Sequence, residues 1–217
     1  MPNTIGKIVN TVAVIDYGMG NLRSVCKALA RVAPDANVRL AADAAAVRAA
    51  DRVVFPGQGA IGGCIAALGR DGLQAAVLDA IKTKPFLGIC LGLQALYEHS
   101  EEGGGIDGLG VLPGRVRRFA PADPTLKVPH MGWNQVQQTA AHPLWTGIAP
   151  NTRFYFVHSY YADSADKRCV SGTTDYGVRF TSAAARANIF AVQFHPEKSQ
   201  QAGLTLLKNF MAWNGQA

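Results

Sequence analysis

The stretch Phe86-Leu87-Gly88-Ile89-Cys90-Leu91-Gly92 limits what this chain can fold into more than any other. A short apolar run leads without a linker into Gly-x-Cys-x-Gly, and Leu91 to Tyr97 reads as the opening of a helix. A strand that bends into a helix at one residue is a nucleophile elbow, with flanking glycines relieving the crowding around a reactive side chain. A thiol there meets the positive end of the helix macrodipole, which favours thiolate. The backbone N–H of Leu91 then points to where an oxyanion would form.

The rest of the first half supplies the frame that such an elbow needs. Thr11-Val12-Ala13-Val14-Ile15 reads as a buried strand ended by Asp16, and Asn21 to Val32 as an amphipathic helix. Val38-Arg39-Leu40 reads as a shorter strand, and Arg52-Val53-Val54-Phe55 as another, closed by Pro56-Gly57-Gln58-Gly59. Leu73, Ala76, Val77, Ala80 and Ile81 have helical spacing. This alternation predicts an α/β fold, a mostly parallel sheet with helices on both faces and active groups at the C-terminal strand ends. After Glu101-Glu102-Gly103-Gly104-Gly105 the pattern becomes serial short strands: Val111 to Phe119, Trp133 to Gln137, Phe154 to Tyr161, Cys169 to Thr174 and Val178 to Thr181. These predict an antiparallel extension of the same sheet. Leu204 to Phe210 begins a closing helix, and one domain is expected over residues 1–217.

A second motif completes the chemistry. The apolar run Ile189-Phe190-Ala191-Val192 opens into Gln193-Phe194-His195-Pro196-Glu197. Pro196 holds the preceding histidine out of helical geometry. Glu197 is close enough to accept from one imidazole nitrogen and fix the tautomer. Cys90, His195 and Glu197 therefore form a candidate triad for nucleophilic attack on an acyl group. His99, His130, His142 and His158 have no equally placed carboxylate, and Asp163 and Glu98 read as solvated surface. Cys26 falls on the apolar stripe Leu22, Val25, Leu29, Val32 and reads as core. Cys64 sits in a Gly/Ala stretch and Cys169 in an expected strand, and neither is given a role.

Composition bounds the alternatives. With 48% hydrophobic and 17% charged residues the chain is globular. The net charge of +6 raises the question of nucleic acid, but the basic residues are scattered apart from Arg115, Arg117 and Arg118, without interleaved aromatics. No nucleic-acid partner is expected; the surface suits solubility or an acidic protein partner. No apolar run is long enough for a bilayer, and the first ten residues lack a signal peptide's apolar centre. Four unpatterned cysteines fit a reducing cytoplasm, and no His/Cys cluster suggests a metal.

Taken together, the chain resembles the class I glutamine amidotransferases, a family with a Cys-His-Glu triad on a flavodoxin-like fold. Gly88 to Gly92, Phe194 to Glu197, and Pro56 to Gly59 as the oxyanion strand carry that resemblance. Asp16-Tyr17-Gly18-Met19-Gly20-Asn21-Leu22, Pro129-His130-Met131-Gly132-Trp133-Asn134 and His158-Ser159-Tyr160-Tyr161 narrow it. The set is similar to the glutaminase subunits of imidazole glycerol phosphate synthases. The resemblance implies hydrolysis of L-glutamine to glutamate and ammonia without a cofactor. It also implies a heterodimer with a (β/α)8-barrel cyclase subunit, which uses the ammonia to form imidazole glycerol phosphate and an aminoimidazole carboxamide ribotide in histidine biosynthesis. On the family pattern Gly57, Gln58 and Leu91 would supply the oxyanion hole, and Gln94, Ser159 and Tyr160 would hold glutamine. Asn21 and Lys198 would face the cyclase; read from the residues alone, the glycine turn before Asn21 also makes it a cap for the next helix. The glutaminase subunit of pyridoxal phosphate synthase is the nearest rival, ahead of a thiol-based stress or redox protein on a similar fold.

Overall fold

The computed structural model describes residues 10–70 and 72–216. The opening segment, where the sequence shows no signal-like apolar centre, lies outside the described residues apart from Asn10, as do the ends of the expected 1–217 domain.

The first half alternates as expected. In order come β1 (Thr11–Ile15), α1 (Leu22–Val32), β2 (Asn37–Ala41), α2 (Ala44–Ala49), β3 (Arg52–Gly57), α3 (Ile61–Leu68), α4 (Leu73–Thr83) and β4 (Phe86–Cys90). Then come α5 (Leu91–Gln94), β5 (Tyr97–Ser100), β6 (Ile106–Asp107), β7 (Leu112–Arg118), β8 (His130–Gln138), β9 (Thr152–His158) and β10 (Tyr160–Ser164). The chain closes with β11 (Val170–Asp175), β12 (Arg179–Arg186), β13 (Ile189–Val192) and α6 (Gln200–Ala212). Strands β2, β1, β3, β4 and β13 lie side by side and parallel. The sheet continues antiparallel through β12, β10 and β7, and a flap of β11, β8 and β9 branches from β12.

Alternation along the parallel strands makes two cores. Ala13, Ile15, Val53, Phe55, Phe86 and Ala191 face α2, α3 and α4, where Val47, Ile61, Leu68, Val77 and Ile81 meet them. Val12, Val14, Val54, Leu87, Ile89, Phe190 and Val192 face α1 and α6, against Leu22, Val25, Leu29, Leu206, Leu207 and Phe210. Each of the valines, leucines, isoleucines and phenylalanines among them contributes about 1.5–3 kcal/mol when fully buried. Burial on both faces is why these strands read as unbroken apolar runs.

Several expectations change. The helix after Cys90 is a single turn, not a run to Tyr97, because the carbonyls it would use are taken elsewhere. The N–H of Leu109 donates to Ala95 O at 2.7 Å, and those of Val111 and Leu112 donate to Leu96 O at 2.9 and 2.8 Å. Tyr97 then starts β5. The run from Phe154 to Tyr161 splits at Ser159 into β9 and β10, and β12 extends well past Thr181. Cys169 ends a short 3-10 turn rather than lying in a strand, whereas Cys26, on α1, packs against the second core as expected but stays half-buried. Helices α2 and α3 have no counterpart among the elements expected from the sequence. Gly62 and Gly63 mask α3, although Ile61, Cys64 and Leu68 still form its buried stripe.

Candidate active site

Cys90 is the last residue of β4 and has φ +55° and ψ −107°. A side-chain-bearing residue held with positive φ costs about 1–2 kcal/mol, and the surrounding packing imposes it here. Its two flanking glycines have ordinary φ and are required for space instead. A Cβ on Gly92 would lie 1.8 Å from the carbonyl oxygen of Phe55, and one on Gly88 would lie 2.9 Å from the Ala191 methyl. The bend thus lets α5 press against β3 while presenting the thiol at the strand end. With one turn behind it, the macrodipole expected at Cys90 is small, and the local N–H of Leu91 and nearby side chains carry the electrostatics.

Strand β13 runs parallel to β4 with Val192 opposite Ile89, so the residues after it emerge beside Cys90. The N–H of His195 donates to Tyr155 O at 2.9 Å, and the Ser199 hydroxyl donates to His195 O at 2.7 Å. Its Nδ1 lies 2.8 Å from Glu197 Oε1, and both side chains are buried. His195 Nε2 and Glu197 Oε2 have no hydrogen-bond partner among the described residues. Burial pushes the imidazole pKa down, but the charges of Cys90 and Glu197 outweigh it and hold His195 up at about 10. At neutral pH the ring is therefore a cation beside the Cys90 sulfur.

A cavity of about 320 Å³ opens on this pair and is also lined by Gln58, Leu91, Gln94, Ser159 and Tyr160. Glu197 stands behind His195. Gly57 pairs with Cys90 in the β3–β4 register, so the Pro56–Gly59 loop leaves the sheet alongside the thiol. Gln58 is exposed and lines the mouth of the cavity. Both bonds of Gln94 Nε2 are used, to Tyr160 O at 2.9 Å and Gln193 Oε1 at 3.0 Å.

Asn21 and Lys198 lie outside the cavity. Asn21 stands at the α1 N-terminus but makes no side-chain cap bond, contrary to the capping expectation; it is exposed in a groove with Asp16, Gly18 and Leu40. Lys198 Nζ lies 5.9 Å from the centre of the Tyr155 ring, which Trp133 meets edge-on. His99 does have a carboxylate partner, Asp107 Oδ1 at 2.9 Å across β5 and β6, in an exposed pair. Two residues of the site escaped sequence reasoning. Gln193 is wholly buried beside Cys90, and its signal was a polar residue between Val192 and Phe194 in an otherwise apolar strand exit. Glu102 lines the cavity and accepts the N–H of Ile61 at 2.9 Å, but within Glu101-Glu102-Gly103 it reads as a surface turn.

The chain matches the family model described as glutamine amidotransferase class-I over residues 13–213. It is 57% identical over 211 residues to imidazole glycerol phosphate synthase subunit HisH of Nitrosomonas europaea, covering 94% of this chain and 99% of that one. It is 59% identical to the subunit of the same name from Aromatoleum aromaticum, with the same coverage. Among solved structures, a glutamine amidotransferase aligns with a TM-score of 0.71 at 16% identity, covering 93% of this chain and 97% of that one. PurLQS from Thermotoga maritima also aligns at 0.71 and 16%, covering 94% and 99%. At such identities the structural likeness speaks for the fold alone.

Proposed function

The chain belongs to the class I glutamine amidotransferases, and from that premise we propose that it is the glutaminase subunit of imidazole glycerol phosphate synthase. The observation that carries the chemistry is the buried His195–Glu197 pair facing Cys90 across one cavity. The choice of member is supported by near-full-length identity to subunits of that name.

Cys90, as thiolate, attacks the γ-carboxamide of L-glutamine. The N–H of Leu91 and one from Gly57 or Gln58 hold the oxyanion; one such donor is worth roughly 3 kcal/mol of barrier. His195, already protonated, gives its proton to the leaving nitrogen, and ammonia departs from a γ-glutamyl thioester. Forming the thioester consumes the Cys90 charge that helped hold the imidazole pKa up. Burial then pulls the ring toward its neutral form, and His195 can take a proton from the water that releases glutamate. One ring thus serves as acid and then base. Because both hydrogens of the Gln94 amide are engaged, its side-chain oxygen is what it offers the substrate's ammonium. Ser159 and Tyr160 line the same wall.

Ammonia freed in water at neutral pH is protonated and no longer nucleophilic, so delivery requires a partner sealed over the site. The partner is a (β/α)8-barrel cyclase subunit forming a heterodimer. Met131 and Trp133, 65% and 42% exposed, and the Lys198–Tyr155 contact offer it an apolar surface with one cation, and Asn21 offers an exposed amide. Four free cysteines suit a cytoplasmic location. Among the described residues, no helix is long and apolar enough to cross a membrane.

Glutamate release from glutamine tests the reading, measured for the chain alone and with the cyclase subunit plus its acceptor ligand. Low activity alone, strong activation by the liganded partner and none for Cys90→Ala are expected. Full activity without the partner would defeat the coupling, and an active Cys90→Ala would defeat the nucleophile.

A further inference from the structure

We propose that Gln193 donates a hydrogen bond to the Cys90 sulfur and holds the attacking thiolate in place, a role that rests on Cys90 being the nucleophile. Gln193 directly follows β13 and is 0% exposed. Its Nε2 lies 3.7 Å from Cys90 Sγ, within hydrogen-bond range of sulfur.

The direction of that bond follows from a chain of partners. It is anchored at the backbone carbonyl of Tyr160, which can only accept. The Gln94 atom on that carbonyl at 2.9 Å is therefore its amide NH2. The same NH2 meets Gln193 at 3.0 Å, so Gln193 must present its oxygen there. Its own NH2 is then left facing Cys90. A reversed Gln193 would set amide against amide at one end and oxygen against thiolate at the other. His158 Nδ1 also donates to Tyr160 O, at 2.7 Å, so its Nε2 accepts from His130 Nδ1 at 2.9 Å. His130 Nε2 in turn faces the Asn134 amide at 3.3 Å. Burial keeps His130 and His158 neutral near pH 7, with pKa values pressed down to about 4 and about 3.

The titratable groups around the thiol are His195 backed by Glu197, Tyr17 behind β3, and His158 and Glu102 on the cavity wall. Gln193 adds a neutral donor whose orientation does not depend on pH. Unlike the proton of His195, the Gln193 donor is not given up in any step of the reaction.

The test is site-specific alkylation of Cys90 by iodoacetamide, read by mass spectrometry across pH, together with glutamine turnover in the partnered enzyme. Gln193→Met keeps the length without the donor, and Gln193→Glu keeps the shape with an anionic acceptor. The alkylation profile should move to higher pH by about one unit in Gln193→Met and further in Gln193→Glu. The loss should fall on kcat, tenfold or more, with KM little changed. Profiles that overlay the wild type, with only the melting temperature lowered, would overturn the proposal. If neither variant folds, the 15N-labelled Gln193 side-chain amide of the wild type gives the answer. Its resonance should shift when Cys90 is alkylated, and an unmoved resonance would overturn the proposal. Retained glutamine hydrolysis in Cys90→Ala would instead defeat the nucleophile assignment beneath it.

Discussion

Nδ1 of His195 lies 2.8 Å from Oε1 of Glu197, two residues further along the chain, and neither side chain is more than 5% exposed. The short 3-10 turn Pro196–Lys198 makes this possible by folding the carboxylate back under the ring it follows. Because the imidazole pKa is raised, its charged form stabilises the fold fully below the unfolded value of about 6.5. That contribution is lost as pH rises through about 10.

Replacing Glu197 with Gln keeps the acceptor but removes its charge. The pH at which His195 loses its proton should fall, and the alkaline loss of stability should begin at lower pH. Glutaminase kcat should drop on the order of 10²-fold or more, since proton transfer by a positioned base is worth about 10²–10⁴. Histidine NMR titration with turnover assays would check both. An unchanged titration with reduced rate would mean that Glu197 acts by packing alone.

Gly92→Ala sets a methyl group 1.8 Å from a backbone oxygen, Phe55 O, which cannot move without breaking the β3–β4 ladder. Destabilisation of at least about 3 kcal/mol is expected. Gly88→Ala meets the Ala191 methyl at 2.9 Å and Gly92 O at 3.1 Å and should cost less. Urea unfolding of both variants tests the order, and a milder Gly92→Ala would contradict the packing described at the elbow.

The Tyr17 hydroxyl is buried with no hydrogen-bond partner among the described residues. It packs on the spot where a Gly57 Cβ would sit, 2.1 Å away. Burial pushes its pKa up. Tyr17→Phe removes an unsatisfied group and should raise stability by about 1 kcal/mol, a melting-temperature gain of about 2–4 °C for a chain of this size. A lower melting temperature would show that the hydroxyl bonds the neighbouring Cys64 thiol.

His142 is buried between Phe190 and Trp213, and its Nδ1 accepts the N–H of Leu144 at 3.1 Å. Burial holds its pKa down at about 4. Below about pH 6.5 the unfolded chain takes up a proton that the native state refuses, so stability falls from there toward pH 4. At pH 5 the loss is about 2 kcal/mol from this residue. His142→Asn keeps an acceptor at the turn without titrating. It should start less stable at pH 7.5, for want of the ring contacts with Phe190 and Trp213, yet lose less on going to pH 5. Parallel stability curves for the two proteins would reject the assignment.

The sequence is most legible where one residue type has one physical use. Cys90 between two glycines, and His195 and Glu197 flanking a proline, were legible because the bends they need admit few other residues. Gln94, Ser159 and Tyr160 were placed by family resemblance, and the cavity brings them together. Asn21 shows the limit: its position at the α1 N-terminus was legible, but the absence of a cap bond was not.

The alternation of apolar runs by itself determined the parallel sheet, its two cores and the strand ends where chemistry could gather, because burial on both faces leaves a direct mark on composition. Only the tertiary structure decided where the helix after Cys90 stops, since the carbonyls of Ala95 and Leu96 are claimed by residues 109–112. It also decided that Gln193 points its amide at the thiol. That direction is set by the carbonyl of Tyr160, which sits 33 residues earlier in the chain and reaches Gln193 only through Gln94. A hydrogen bond depends on which donors and acceptors meet in space, and local sequence carries no record of a partner so far away.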